Sequence, residues 1–260
     1  QTKKGIQGFL SRFYNQSFIV IENKQLKNNR PFNLNPFETS HPDLIGLTYH
    51  FKNSFYLNRA KNKYTTAYHF TEGKQQSLYL FENLSNNSSA HQLQFIHQLN
   101  DFWLFELAGK TGNQERFSST FLERNFKLNE NELQPKLTLN IHQQSKADFF
   151  FSYAHQKNEI GLNEALKKQV LGVAFQFLND KGQSLKSEFQ YINNNFVGVE
   201  NSAVAYQMLQ GLRKGNNYTW MLLAQQKLTD YLYLNLHYSG RKSEETRAIH
   251  TGNVQLRLHF

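Results

Sequence analysis

The sequence predicts an all-β protein, a transmembrane antiparallel β-barrel of about 12 strands, on three observations. Apolar and polar residues alternate with period two over segments of about ten residues, the length a tilted strand needs to cross a bilayer. No apolar run approaches the ~18 residues of a spanning helix; the longest are short stretches such as Val170–Phe175. Short and long connections alternate along the chain, as the two sides of a membrane barrel require.

The C-terminal segment shows the alternation best. Gly252, Val254, Leu256, Leu258 and Phe260 share one face, and Asn253, Gln255, Arg257 and His259 share the other. Before it, Leu232, Leu234, Leu236 and Tyr238 oppose Tyr233, Asn235, His237 and Ser239, after a tight turn at Thr229-Asp230. Leu47, Tyr49, Phe51, Phe55 and Leu57 oppose Thr48, His50, Lys52 and Ser54, and Leu137, Leu139 and Ile141 oppose Lys136, Thr138, Asn140 and His142. The same spacing recurs from Phe149 to Tyr153, from Leu171 to Phe177 and from Leu185 to Tyr191.

Short links are expected at Glu72 to Gln75, Asn100-Asp101, Gln143 to Lys146, Asp180 to Gln183 and Thr229-Asp230. Longer ones are expected at Asn83 to Ser89, Gly112 to Asn131, Asn158 to Lys167 and Gly240 to Arg247. Counting back from Phe260 places strands near 248–260, 231–241, 218–228, 184–195, 168–179, 147–157, 132–142, 102–111, 90–99, 76–82, 63–71 and 44–58. The even count puts both ends on the short-turn side. It requires residues 196–217 to be one long external loop, since a spanning strand at 203–212 would reverse the alternation.

That loop carries Phe196, Val197, Val199, Val204, Tyr206, Met208, Leu209 and Leu212, too many apolar side chains for a free solvated loop. It is expected to fold into the barrel mouth as a plug or to dock a partner. Residues 1–43 alternate poorly and read as an N-terminal extension, a periplasmic segment or lumen plug, ahead of a barrel over 44–260. Tyr and Trp near strand ends, Trp103, Tyr153, Tyr218, Trp220, Tyr231 and Tyr238 among them, suit the aromatic girdles of a barrel.

The composition agrees with a barrel and excludes several alternatives. Only 39% of the 260 residues are hydrophobic and mean hydropathy is -0.66, yet 15% are aromatic, with 23 Phe and 13 Tyr, which is not the signature of disorder. Absence of cysteine rules out disulfides and thiolate metal sites. The net charge of +9 is scattered and accompanies no recognition motif, so nucleic acid is not expected as a partner; outer-membrane lipids and lipopolysaccharide phosphates are.

No catalytic, cofactor or metal site is expected. Ala108-Gly109-Lys110-Thr111-Gly112 echoes the end of a phosphate-binding loop, but Leu104 stands where the leading glycine belongs. A Gly-x-Ser-x-Gly elbow is missing. The ten histidines sit mostly singly within strands, as His69, His97, His155 and His237 do.

The pattern Tyr206-x-Met208-Leu209-x-Gly211-Leu212, Gly215-x-Asn217-Tyr218-x-Trp220, Gly240-Arg241-Lys242 and Ile249-His250-x-Gly252 through Phe260 resembles the C-terminal β-barrel region of large uncharacterised Bacteroidota outer-membrane proteins. The resemblance implies a barrel in such a host and brings no functional residues with it. A terminal aromatic after an alternating strand is similar to the signal read by the barrel-assembly machinery, which makes Phe260 a candidate assembly signal. The expected function is that of a non-enzymatic structural or accessory subunit of an outer-membrane protein complex. The alternative is a narrow pore or transporter in which inward Lys52, Lys136, Lys186 and Arg257 favour anions, and a third is an outer-membrane lipid hydrolase.

Overall fold

In the computed structural model, which describes residues 12–26, 44–58, 63–79, 82–142, 144–179, 181–244 and 246–258, twelve strands hydrogen-bond in chain order into one antiparallel sheet. They are β1 (Phe13–Leu26), β2 (Leu44–Leu57), β3 (Tyr64–Tyr79), β4 (Glu82–Gln98), β5 (Trp103–Ser118), β6 (Phe126–His142), β7 (Ser145–Asn158), β8 (Ala165–Asn179), β9 (Gln183–Val197), β10 (Gly215–Lys227), β11 (Leu232–Ser243) and β12 (Ile249–Leu258). A 3-10 turn, Leu122–Arg124, follows β5, and one helix, α1 (Ala203–Leu209), joins β9 to β10. Among the described residues, β1 pairs with β2 and β12 with β11, so these two are the edges of the sheet.

Four sequence-based boundaries need correction. Glu72 to Gln75 is no turn: it lies inside β3, paired with Phe51, His50, Tyr49 and Thr48 on one side and with Asn86 to Ser89 on the other. Asn83 to Ser89 is therefore strand rather than loop, since β3 ends at Tyr79 and β4 begins at Glu82. Most of Gly112 to Asn131 is likewise strand, the ends of β5 and β6 paired from Gly112↔Glu130 to Arg116↔Phe126. Finally, Phe13–Leu26, assigned to an N-terminal extension, is β1, in unbroken register with β2 from Phe13↔Leu57 to Leu26↔Leu44. The total of twelve agrees because one strand was split in two and another was missed. Residues 1–11 and 27–43 of the expected extension, and Phe260, lie outside the described residues.

Connections at one end of the sheet are tight and closed by side chains. Asn100 Oδ1 accepts from the backbone N–H of Phe102 and Trp103 at 2.9 and 2.8 Å, and Asn179 Oδ1 accepts from Lys181 N–H at 2.9 Å beside Gly182, whose φ of +76° needs glycine. Lys227 and Asp230 form an ion pair at 2.7 Å across the β10–β11 turn. At the opposite end four connections are longer, running over 119–125, 159–164, 198–214 and 244–248, whereas β3 ends at Tyr79 and β4 begins at Glu82.

Asparagines, buried at 158 and 217 and half-buried at 125, clasp these long loops. Asn125 Oδ1 accepts from Ser118 N–H at 2.6 Å, Asn158 Oδ1 accepts from Lys127 N–H at 2.9 Å, and Asn217 Oδ1 accepts from Arg213 N–H at 3.1 Å and from Ser243 Oγ at 2.6 Å. A carboxamide supplies both a donor and an acceptor, so one buried side chain satisfies backbone groups that a loop would otherwise leave unpaired.

Candidate functional site

Successive side chains of a strand point to opposite faces, and the register assigns every described strand residue to one of two. On the face holding Val173, the cross-strand row Phe149, Val173, Phe189 is apolar and exposed. Leu93, Leu133, Phe151, Leu171, Val254 and Leu256 continue the apolar surface. The opposite face carries Ser54, Thr138, Ser152 and Asn194, all buried. This is inside-out relative to a protein in water, where a sheet buries its oily face.

Charged residues on the oily face obey a second rule. Glu72, Lys74, Glu115, Lys127, Lys157, Lys167 and Lys242 all sit toward the long-loop end. Below them runs an uncharged belt: Ala147, Phe149, Phe151 and Tyr153 on β7, and Leu171, Val173, Phe175 and Phe177 on β8. Seven residues at about 3.3 Å each give a belt of roughly 20 Å along the strand, near that of membrane barrels. The edge of the belt nearest the charges is marked by Tyr153, Tyr191, Tyr218, Trp220 and Tyr238. Tyr238 OH and His250 Nδ1 are hydrogen-bonded at 2.8 Å, and the Trp220 ring lies 5.4 Å from that of His250. Amphipathic rings at the edge of an apolar belt mark a headgroup boundary.

The polar face is held by charge pairing on β4 to β7. Gln94 Nε2 donates to Glu106 Oε1 at 2.7 Å, and Glu106 Oε2 meets Lys136 Nζ at 2.6 Å. Lys110 Nζ and Gln156 Nε2 both reach the Glu130 carboxylate at 3.0 Å, Ser152 Oγ donates to Glu132 at 2.6 Å, and Thr138 Oγ1 donates to Asp148 at 2.6 Å. Of the four cations expected to line a lumen, all have inward parity, but Lys136 is neutralised by Glu106 and adds no free positive charge. Lys52, Lys186 and Arg257 have no ion pair among the described residues. Lys186 borders a cavity of about 340 Å³ with Gln225, Asn235, His237, Asn253 and Gln255.

Helix α1 sits on this polar face at the long-loop end. Ser202 caps it, its hydroxyl accepting from Ala205 N–H at 3.0 Å, and Gln210 in the left-handed conformation (φ 55°) ends it ahead of Gly211. Val204, Ala205, Met208 and Leu209, one face of the helix, are buried with Phe126, Leu128, Leu166 and Phe196 in one apolar cluster. Its rim is tied to three separated strands: Gln207 Nε2 to Gln114 of β5 at 3.3 Å, Gln210 Oε1 to Lys168 Nζ of β8 at 3.1 Å, and Gly211 O to Arg241 Nη1 of β11 at 3.0 Å. In a flat sheet β5 and β11 would stand about 29 Å apart, roughly three times the length of a seven-residue helix. A sheet curled around α1 brings both within reach. A curled antiparallel meander with an oily exterior and a polar, partly filled interior is the wall of a transmembrane β-barrel.

The apolar loop residues singled out from the sequence divide into two sets. Phe196, Val204, Met208 and Leu209 are buried under the helix; Val197, Val199 and Tyr206 are exposed, Tyr206 by 74%, and Leu212 is half-buried. Sequence reasoning missed the buried asparagines and Glu164, which accepts from Asn158 Nδ2 at 2.9 Å. Their only signal was Asn at strand ends beside long loops. In the 159–164 loop, Lys127 donates to Glu159 at 2.7 Å and holds its carboxyl below the usual range, with Asn129 donating to the same group.

Glu106 is the charge-pair member whose loss is expected to matter most. Glu106→Ala strands Lys136 and Gln94 without their acceptor, an expected cost of about 1–3 kcal/mol for a charge-assisted bond. Glu106→Gln should recover part of it. Urea unfolding in detergent micelles reads both.

No family model and no curated relative matches the chain. Among solved structures it is similar to the translocator domain of the autotransporter NalP from Neisseria meningitidis, with TM-score 0.41 and 12% identity over 84% of this chain and 83% of that one. It is also similar to the beta domain of the Bordetella autotransporter BrkA, at 0.41 and 7% over 96% and 100%. A third is the transport unit of the Escherichia coli autotransporter AIDA-I, at 0.37 and 10% over 95% and 88%. Likeness at that level carries no weight for fold or function; the distribution of side chains between the two faces carries it.

Proposed function

We infer that the chain is an integral bacterial outer-membrane β-barrel that works without catalysis of its own, as a structural or accessory subunit of an outer-membrane assembly. The observation that supports this most is α1, seated across the polar interior with its apolar face buried while Tyr206, Val197 and Val199 are left exposed at the long-loop end. The first half of that arrangement obstructs a conduction path. The second offers apolar contact area to another protein.

A narrow anion pore is the second reading, supported by the inward wall of β8 to β12, where Lys186 and Arg257 have no ion pair among the described residues. Planar-bilayer recording separates the two. The subunit reading expects no single-channel steps from the intact chain, and Met208→Asp, which drives α1 off its apolar seat, is expected to produce them. Steps from the intact chain would favour the pore. Barrel-assembly machinery and other outer-membrane proteins are the proposed partners; Tyr206→Glu should reduce co-purification of a stoichiometric neighbour without changing heat-modifiable gel mobility.

A further inference from the structure

On the outward wall of β6, β7 and β8, just past the aromatic boundary, the register puts Asn131, His155 and Lys167 side by side in one row and Asn129, Lys157 and Ala165 in the next. His155 stands two residues from the girdle residue Tyr153, and Gln169 and Asn195 flank Lys167 on the same face. Lys157 and Lys167 are both exposed, and neither has an ion pair or hydrogen bond among the described residues.

The two nearest acids on this wall both face Lys127 rather than Lys157 or Lys167. Glu159 is held by Lys127 and Asn129, with Lys157 acting on it only as a more distant charge, and Glu115 lies opposite Lys127 in the register. The ammonium groups of Lys157 and Lys167 therefore have no hydrogen-bonded acceptor among the described residues, and the amides of Asn131, Gln169 and Asn195 lie beside them. Lysines just outside an apolar belt are drawn to anionic lipid phosphate, each by about 1 kcal/mol, and the positions are fixed here by strand pairing rather than by a loop.

We propose that Lys157 and Lys167, with His155, form a binding site on the lipid-facing wall for the phosphate of an anionic lipid headgroup in the leaflet at the long-loop end. The proposal rests on the barrel inferred above. The phosphate oxygens would accept from the two ammonium groups, with Asn131 and Asn195 beside them, while the acyl chains lie along Tyr153, Leu133 and Leu171.

Native mass spectrometry of the full chain from detergent micelles tests it, with phosphorylated lipid A and its dephosphorylated form as probes. The wild type should retain the phosphorylated lipid and release the other. Lys157→Gln/Lys167→Gln should weaken retention about thirty-fold, the equivalent of about 2 kcal/mol, whereas Lys74→Gln/Lys242→Gln, elsewhere on the same wall, should change it less than about three-fold. Equal retention by the first double variant overturns the proposal. So does equal retention of dephosphorylated lipid, or displacement of the lipid by millimolar inorganic phosphate, which would make this a free-phosphate site. Heat-modifiable mobility run beside each sample tells the two layers apart: a wild type that is not heat-modifiable and stays soluble without detergent overturns the barrel and this site together, while a heat-modifiable protein indifferent to Lys157 and Lys167 overturns the site alone.

Discussion

Val173→Arg is expected to destabilise the protein by about 2–4 kcal/mol in a lipid bilayer, the cost of a guanidinium near the midplane of a barrel's outer wall. Val173 is 40% exposed, and in a water-soluble sheet an arginine at such a position changes stability by no more than about 0.5 kcal/mol. The difference comes from the surroundings: Val173 lies opposite Phe149 and Phe189, inside the apolar belt and four residues from Gln169, which pairs with the boundary residue Tyr153. Gln169→Arg, four residues nearer the long loops on the same face of the same strand, should be close to neutral because its side chain reaches headgroups. Folded fraction by heat-modifiable mobility in phospholipid vesicles, across a urea series, reads both. A neutral Val173→Arg would mean that the oily face does not meet hydrocarbon, and the reading of the two faces would have to be reversed.

The belt also explains which parts of the fold were legible in the sequence. Alternation is visible where one face meets hydrocarbon and the other meets the interior, which is why β7 to β12 could be bounded to within a few residues. Past the belt both faces of a strand meet polar surroundings, and period two disappears. Glu72 to Gln75 reads as a turn for this reason, yet it is paired on both edges; Asn83 to Ser89 and the outer ends of β5 and β6 read as loops on the same ground. The converse hid β1, where Phe18, Ile19, Val20 and Ile21 make both faces apolar and no alternation exists to detect.

The charge pairs were illegible for a different reason. Lys136 was identified as inward from parity alone, but its partner Glu106 lies on the neighbouring strand, and strand register is not readable from one sequence. Helix α1 gave a partial signal: its apolar content ruled out a free loop, while the helix itself depends on the Ser202 cap and on the cluster around Leu166 and Phe196, which assembles only once β6, β8 and β9 are in place.

Gly172→Val, one residue from Val173 and on the opposite face, is expected to destabilise the protein by about 1–3 kcal/mol, the cost of overfilling a packed site. Intrinsic preference predicts the reverse sign, since valine is favoured over glycine in strands by up to about 1 kcal/mol. The structure reverses it because Phe150, directly opposite in the register, lays its ring across the glycine: a Cβ at position 172 would stand 2.1 Å from Phe150 Cζ and under 3 Å from both Cε atoms. The ring must leave the interior side of β7, beside Ser152 and Lys136, or the strands must part. An aromatic covering a strand glycine restores the contact that the missing side chain gives up, so ring and glycine act as one unit. Phe150→Ala should therefore destabilise on its own, and Gly172→Val in the Phe150→Ala background should be neutral or stabilising, a coupling of about 2 kcal/mol within the range for contacting residues. Guanidinium unfolding of the four proteins in detergent gives the cycle, and additive effects of the two substitutions would show that the ring does not rest on Gly172.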